Sequence, residues 1–187
     1  MPEAAKVNRV TVDEYLENEL RSQTRHEFVD GHLFAQTGAS RRHDLVAANL
    51  VDALRKPLAG RPALRVYSNL MKVHVEDANA FYYPDVSVAD GASDLEPAYL
   101  TEPLLLAEVI SPETETTDRR EKLIAYRRLP SLREYLLVEQ PRLEASLYRR
   151  DVSGQWWEVI YRRGDAVALE SVGLALPLMH LYAGTGL

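Results

Sequence analysis

Residues 104–110 read Leu-Leu-Leu-Ala-Glu-Val-Ile, a run that is apolar throughout except for one carboxylate, Glu108. Apolar runs without polar alternation are how a strand covered on both faces of a sheet reads. An ionised Glu in such a strand is expensive. Without a partner, a buried carboxylate costs several kcal/mol, on the order of the whole stability margin of a small domain. Glu108 must therefore be protonated, paired with a cation or bound to a metal. The chain supplies candidates: Asp85 follows Pro84 at the head of another β-rich stretch, and Lys122 lies downstream on the next predicted helix.

At 187 residues, 46% of them hydrophobic, the chain suits a single domain spanning 1–187 with a core that needs no covalent staples. It has no cysteine, which excludes disulfides, zinc-thiolate and iron-sulfur sites and thiol nucleophiles. A metal site would have to use carboxylate, imidazole or carbonyl ligands, which favours hard cations such as Mg2+ or Mn2+. No window is long and apolar enough to cross a bilayer, and the first ten residues lack the apolar core of a signal peptide, so the expectation is a cytoplasmic protein with no membrane partner. The formal net charge of -6 argues against a binder that holds nucleic acid by bulk electrostatics. It leaves room for an acidic nuclease, in which a carboxylate cage for a metal adds negative charge and a local basic strip does the binding.

In chain order, Thr11 and Glu14 form a capping-box pair at the start of a short helix. Asp30-Gly31 is the strongest hairpin signal, with Glu27-Phe28-Val29 running in and His32-Leu33-Phe34 running out. Glu27 is then either a solvated charge on an edge strand or a carboxylate close to the sheet. Ser40 caps a helix predicted to run to about Lys56 and to stop at Pro57 and Gly60. On it, His43 shares the inward face with Ala47, Leu50 and Leu54, so it points to the core or to a site. Residues 65–75 read as one strand and 76–79 as a turn. Residues 81–88 read as a strand whose Pro84 marks a beginning or a bulge, placing Asp85 just after an irregularity.

A polar loop over 90–97 leads to the central strand at 103–110, which Ser111-Pro112 ends. After a polar connection at 114–117, Asp118 reads as the N-cap of a helix, with Glu121 completing the pattern. Lys122 and Tyr126, four apart, share one face of that helix. Lys122 is either a surface lysine or a site residue; with Arg119, Arg120, Arg127 and Arg128 around it, this is also the best phosphate-facing strip. Residues 134–139 and 143–148 read as strands, and 151–155 turn the chain into a hairpin strand at 156–162. Residues 174–182 read as a short docking segment with a terminal helical turn.

This order predicts a mixed α/β domain in which helices flank a central sheet. Two carboxylates on neighbouring strands, Asp85 and Glu108, with the carbonyl that follows Glu108, could hold a magnesium-like cation. Such a cation polarises a phosphodiester oxygen and acidifies a water, and an ammonium such as Lys122 would orient that water or neutralise charge on the phosphate.

The ordered set RHEFVDG at 25–31, His43, PDVSV at 84–88, LAEVISPET at 106–114, DRREKLIAY at 118–126 and EYLLVE at 134–139 resembles the Uma-type family of small bacterial endonuclease-like proteins. That family is placed in the PD-(D/E)XK restriction-endonuclease-like superfamily, and the similarity extends from about Val10 to Leu181. The resemblance implies a restriction-endonuclease-like mixed central sheet flanked by helices, with an added C-terminal β-hairpin. It makes Asp85 the Asp of the PD element, Glu108 the second acidic residue and Glu27 an additional N-terminal acid. The superfamily's lysine would stand two residues after the acid, where this chain has Ile110; the family pattern displaces it to the next helix, at Lys122. His43 and Tyr126 match recurring positions that line the site, and Asp118 matches too, though capping is sufficient explanation for it.

The expectation is a Mg2+- or Mn2+-dependent DNA endonuclease with Asp85, Glu108, Lys122 and Glu27 as catalytic residues, Asp85 and Glu108 as metal ligands, and His43, Tyr126 and Arg119 on the substrate side. A homodimer would be the simplest way to cut both strands of a duplex. The rival is a non-catalytic module that keeps the nuclease fold for interaction or dimerisation, its acidic cluster serving as an ion-pair network. A metal-dependent hydrolase of small phosphoesters is a third reading.

Overall fold

The computed structural model describes residues 9–36, 38–90, 98–111 and 116–187. The first half of the chain forms α1 (Val12–Glu19), β1 (His26–Val29), β2 (His32–Ala35), α2 (Arg41–Leu58), β3 (Leu64–Ser68), β4 (Lys72–Val75), β5 (Ala80–Tyr82) and β6 (Val86–Asp90). The second half forms β7 (Tyr99–Leu100), β8 (Pro103–Ile110), a π turn (Thr117–Lys122) running into α3 (Leu123–Tyr126), β9 (Glu134–Glu139) and β10 (Glu144–Arg150). It closes with β11 (Trp156–Arg162), β12 (Ala166–Leu169), β13 (Leu174–Pro177) and α4 (Leu178–Leu181).

Strand β8 occupies the place its apolar run predicts. It sits inside a six-stranded sheet ordered β11-β10-β9-β8-β6-β3, antiparallel to β6 and parallel to β9. Side chains on a strand alternate between faces. Leu105, Ala107 and Val109 therefore pack with the inward stripe of α2, Val46, Leu50, Leu54 and Leu58, in one core. Leu106 and Ile110 join Tyr135, Leu137, Leu123 and Tyr126 in a second core on the other face. Glu108, between Leu106 and Ile110, is carried to that second face. A five-stranded sheet, β2-β1-β5-β4-β7, closes over it, with Val73, Val75 and Tyr82 reaching into the same core. The C-terminal hairpin β12–β13 is present as a separate ribbon.

The Thr11–Glu14 capping box forms as the sequence predicts. Helix α2 begins at the Ser40 cap but runs to Leu58, past the predicted stop at Pro57. Leu58 is buried in the first core, and that burial outweighs the hydrogen bond a proline in the last turn forgoes.

The predicted single strand over 65–75 is two strands in different sheets: β3 pairs with β6, and β4 pairs with β5. Between them the chain turns, the Met71 N–H donating to the Ser68 carbonyl at 3.1 Å while Leu70 is left exposed. The stretch 81–88 divides in the same way into β5 and β6, with Tyr83-Pro84-Asp85 crossing from one sheet to the other. A proline has no amide to give a ladder, so a crossing is where it fits. Most of the predicted polar loop at 90–97, and most of the connection ahead of the π turn, lie outside the described residues.

The Asp30-Gly31 turn joins β1 to β2 with both φ angles positive, 46° and 84°, as a two-residue hairpin of this hand requires. A Cβ on Gly31 would lie 2.6 Å from Arg9 Cβ. Gly31→Ala is expected to cost about 1–2 kcal/mol, combining left-handed strain with that clash. A urea unfolding midpoint unchanged from the wild type would contradict this account.

Candidate active site

Three pieces of chain converge on the face of β8 that carries Glu108. The crossing between β5 and β6 delivers Asp85, the hairpin strand β1 delivers Glu27, and the π turn with α3 delivers Asp118, Lys122 and Tyr126. Single π turns inside helices shift side-chain direction and recur at functional sites. Here the spacing of four from Asp118 to Lys122 to Tyr126 turns all three inward, and all three are buried. Asp118 is not the predicted N-cap. Helical backbone already runs through Thr116 (φ -67°, ψ -42°), so Asp118 is inside the turn, where an inward carboxylate meets Lys122.

The two carboxylates are held side by side, each accepting from a backbone N–H of the other's segment. The Asp85 N–H donates to Glu108 Oε2 at 3.3 Å, and Asp85 Oδ2 accepts from the Val109 N–H at 2.8 Å. His43, at the start of α2, brings Nε2 to 3.1 Å from Asp85 Oδ2. The inward face on which the sequence places this histidine thus leads to the site. On its other oxygen Glu108 accepts from Lys122 Nζ at 3.0 Å and from the Tyr126 hydroxyl at 3.3 Å. Lys122 Nζ also lies 3.0 Å from Glu27 Oε1 and 3.2 Å from Asp118 Oδ1. Glu27 Oε1 accepts from the Tyr83 N–H at 3.2 Å. Glu27 is therefore a half-buried site carboxylate rather than a solvated edge charge.

Charge is unbalanced in this cluster. Four carboxylates, Glu27, Asp85, Glu108 and Asp118, face one ammonium and one imidazole. Burial pushes the Glu108 carboxyl well above its ordinary range; Lys122 opposes this, while Asp118, Asp85 and Glu27 reinforce it. Burial works against the Lys122 ammonium, yet Glu108, Glu27 and Asp118 outweigh it and hold its pKa well above the usual value. For His43, burial again disfavours the charged form, and the hydrogen bond and charge of Asp85 overcome it, leaving its pKa raised. Burial keeps the Tyr126 hydroxyl protonated and able to donate. A cluster in which one lysine serves three carboxylates is one that a further cation would stabilise.

Among the described residues, no three or more His, Cys, Asp or Glu side chains converge in the manner that encloses a metal. A magnesium-type ion does not need such a cage: it is held by one or two carboxylates and keeps several waters. Asp85 and Glu108 supply that number, all-oxygen and held beside one another by backbone hydrogen bonds, so the donor set fits a hard divalent cation.

Arg119 turns to Glu139 and forms an ion pair with it. Arg128 donates to the Asp77 carbonyl at 2.6 Å, and Arg127 lies over the rings of Tyr148 and Trp156. Two contributors to the site lie outside the residues that the sequence assigns to catalysis, substrate or metal. Asp118 matches a family position but reads as a cap from its sequence, although its spacing of four from Lys122 places the two on one face. Tyr135, whose hydroxyl donates to the Asp118 carbonyl at 3.2 Å, left no signal beyond its place in an apolar strand.

Comparison with known proteins gives the same frame. The model of the Uma2 family, described as "Putative restriction endonuclease", matches residues 12–179. Uncharacterized protein slr1290 of Synechocystis sp. is 31% identical over 182 residues, which cover 97% of this chain and 95% of that protein. Uncharacterized protein sll1609 of the same organism is 29% identical over 150 residues, 79% of this chain and 84% of its own. A crystal structure from Anabaena variabilis, described as a "putative nuclease belonging to DUF820", superposes with a TM-score of 0.77 over 93% of this chain and 98% of that one. At 16% identity that likeness is one of fold.

Proposed function

The chain belongs to the Uma2 family of restriction-endonuclease-like proteins, and from that premise we propose that it is a metal-dependent DNA endonuclease. The observation that carries the reading is the adjacent carboxylate pair: the Asp85 N–H donates to Glu108 Oε2, Asp85 Oδ2 accepts from the Val109 N–H, and Lys122 Nζ donates to Glu108 Oε1. Mg2+ or Mn2+ held by that pair supplies Lewis-acid polarisation of a phosphodiester oxygen and a more acidic water.

The chain's own groups do the rest. The Lys122 ammonium, kept charged by its three carboxylates, orients the attacking water and offsets negative charge growing on the phosphate. Glu27, 3.0 Å from Lys122 Nζ, accepts the proton the water gives up or serves as an accessory ligand. His43 fixes the orientation of Asp85 through Oδ2, and Tyr126 fixes Glu108 through Oε1. A homodimer would present two such sites to the two strands of a duplex.

A second reading, a non-catalytic nuclease-fold module for interaction or dimerisation, is favoured by the burial of Glu108 and Lys122, 4% and 6% exposed, and by the net charge of -6. Calorimetric titration of the wild type with Mg2+ and Mn2+, followed by plasmid nicking with and without chelator, separates the two. Saturable metal binding and chelator-sensitive nicking are expected. No heat of binding and no nicking, even with DNA present, would leave the ion-pair module as the reading.

A further inference from the structure

Of the three phenylalanines in the chain, Phe28 and Phe81 are buried, and Phe34 is 55% exposed. It is not at a random place on the surface. In the β1–β2 hairpin Phe34 stands directly opposite Glu27, and residues opposite one another in an antiparallel pair project from the same face. The ladder continues one step beyond: the Gln36 N–H donates to the Arg25 carbonyl at 2.8 Å, and alternation puts Arg25 and Gln36 on that face as well. Gln36 Nε2 reaches Glu27 Oε1 at 3.4 Å. Arg25 lays its guanidinium 5.8 Å from the ring of Tyr83, whose N–H donates to the same Glu27 oxygen. Glu27 thus has an exposed aromatic ring across the hairpin and, just before its own strand, a partly buried guanidinium that also donates to the Asn69 carbonyl at 2.6 Å.

Resting on the nuclease reading above, we propose that this face of the hairpin is where the nucleic acid docks: Phe34 stacks on an unpaired base beside the scissile phosphodiester, and Arg25 contacts the neighbouring phosphate. An aromatic face next to a cation is the pairing single-stranded nucleic acid selects, because every base offers a π surface and every nucleotide a negative charge. The local chemistry also answers the adverse net charge, since recognition here depends on stacking and one close arginine rather than on a basic field. A second copy of this chain fits the face less well. Strand β2 has four residues, too few for a self-paired edge to approach the roughly 1,000 Å² of a specific interface on its own.

The test is binding of a short single-stranded DNA oligonucleotide in chelator, where nothing is cut, by the wild type, Phe34→Ala and Phe34→Trp. Phe34→Ala should bind about tenfold more weakly with an unchanged thermal midpoint, since the ring is largely in solvent. Phe34→Trp should keep the affinity and add tryptophan emission that DNA quenches above the background of Trp156 and Trp157. If the wild type binds and nicks DNA and Phe34→Ala does both equally well, the docking face is wrong and the nuclease reading stands. If the wild type does not bind the oligonucleotide but still nicks plasmid DNA, the docking face is wrong and the nuclease reading stands; if it neither binds nor nicks, both fall. If Phe34→Ala instead changes the sedimenting mass with DNA affinity intact, the face is a contact between copies and this inference is overturned.

Discussion

Lys122→Met is expected to lose about 3–5 kcal/mol of folding stability at neutral pH, the range seen when one partner of a buried ion pair is removed. Methionine keeps most of the lysine's volume, so packing changes little; what disappears is the charge that faces Glu108 and Glu27 at 3.0 Å and Asp118 at 3.2 Å. The loss should depend on pH with a definite sign. Burial already raises the Glu108 pKa, and Lys122 is the neighbour that opposes the rise. Without it the folded-state value climbs further above the ordinary 4.5. Between 4.5 and that raised value the folded protein binds more protons than the unfolded chain, so stability falls as pH rises through this window and recovers on acidification. Urea unfolding of the variant in mildly acidic and mildly alkaline buffer reads this directly. Wild-type stability at neutral pH, or stability that grows with pH, would show that the carboxylates are neutralised by something other than Lys122. If Asp85 and Glu108 also bind a divalent cation, Mg2+ should restore part of the lost stability.

That residue shows what a sequence can and cannot disclose. Glu108 was legible because a charge inside an apolar run has few physical solutions, and Asp30-Gly31 because two consecutive positive φ angles admit few residues. Lys122 was legible as a partner through its place on the following helix; its three ion pairs were not, since Glu27 arrives from a hairpin almost a hundred positions earlier. The division of 65–75 and of 81–88 between two sheets was invisible for a different reason. Period-two alternation records which residues face inward but not which strand lies alongside, and β5 and most of β6 are buried on both faces, so no change of pattern marks the crossing. Asp118 was misread because Asp-x-x-Glu at a helix start and an inward Asp four before a Lys are the same letters. Their difference lies in where the helical backbone begins. Glu134 and Arg149, paired at 2.8 Å in the core, had no local pattern at all and became neighbours only through the β9–β10 register.

Asp85→Asn should lower nicking by about a thousandfold or more while leaving the fold intact, and His43→Ala should lower it by only about ten- to a hundredfold. The two effects follow from what each side chain does. Asparagine retains an oxygen to accept the Val109 N–H that Asp85 Oδ2 now takes at 2.8 Å, so the crossing between β5 and β6 keeps its anchor. It removes one of the two negative charges that a hard cation requires, and several kcal/mol of transition-state stabilisation correspond to about three powers of ten in rate. His43 holds Asp85 from outside, 3.1 Å from the same oxygen, and contributes orientation rather than ligation. Its loss should weaken metal binding and rate together without abolishing either. Parallel calorimetry with Mn2+ and single-turnover nicking on the two variants would rank them. Were His43→Ala the more damaging change, the imidazole itself would be taking part in the chemistry, and the metal-and-lysine mechanism would have to be rebuilt around it.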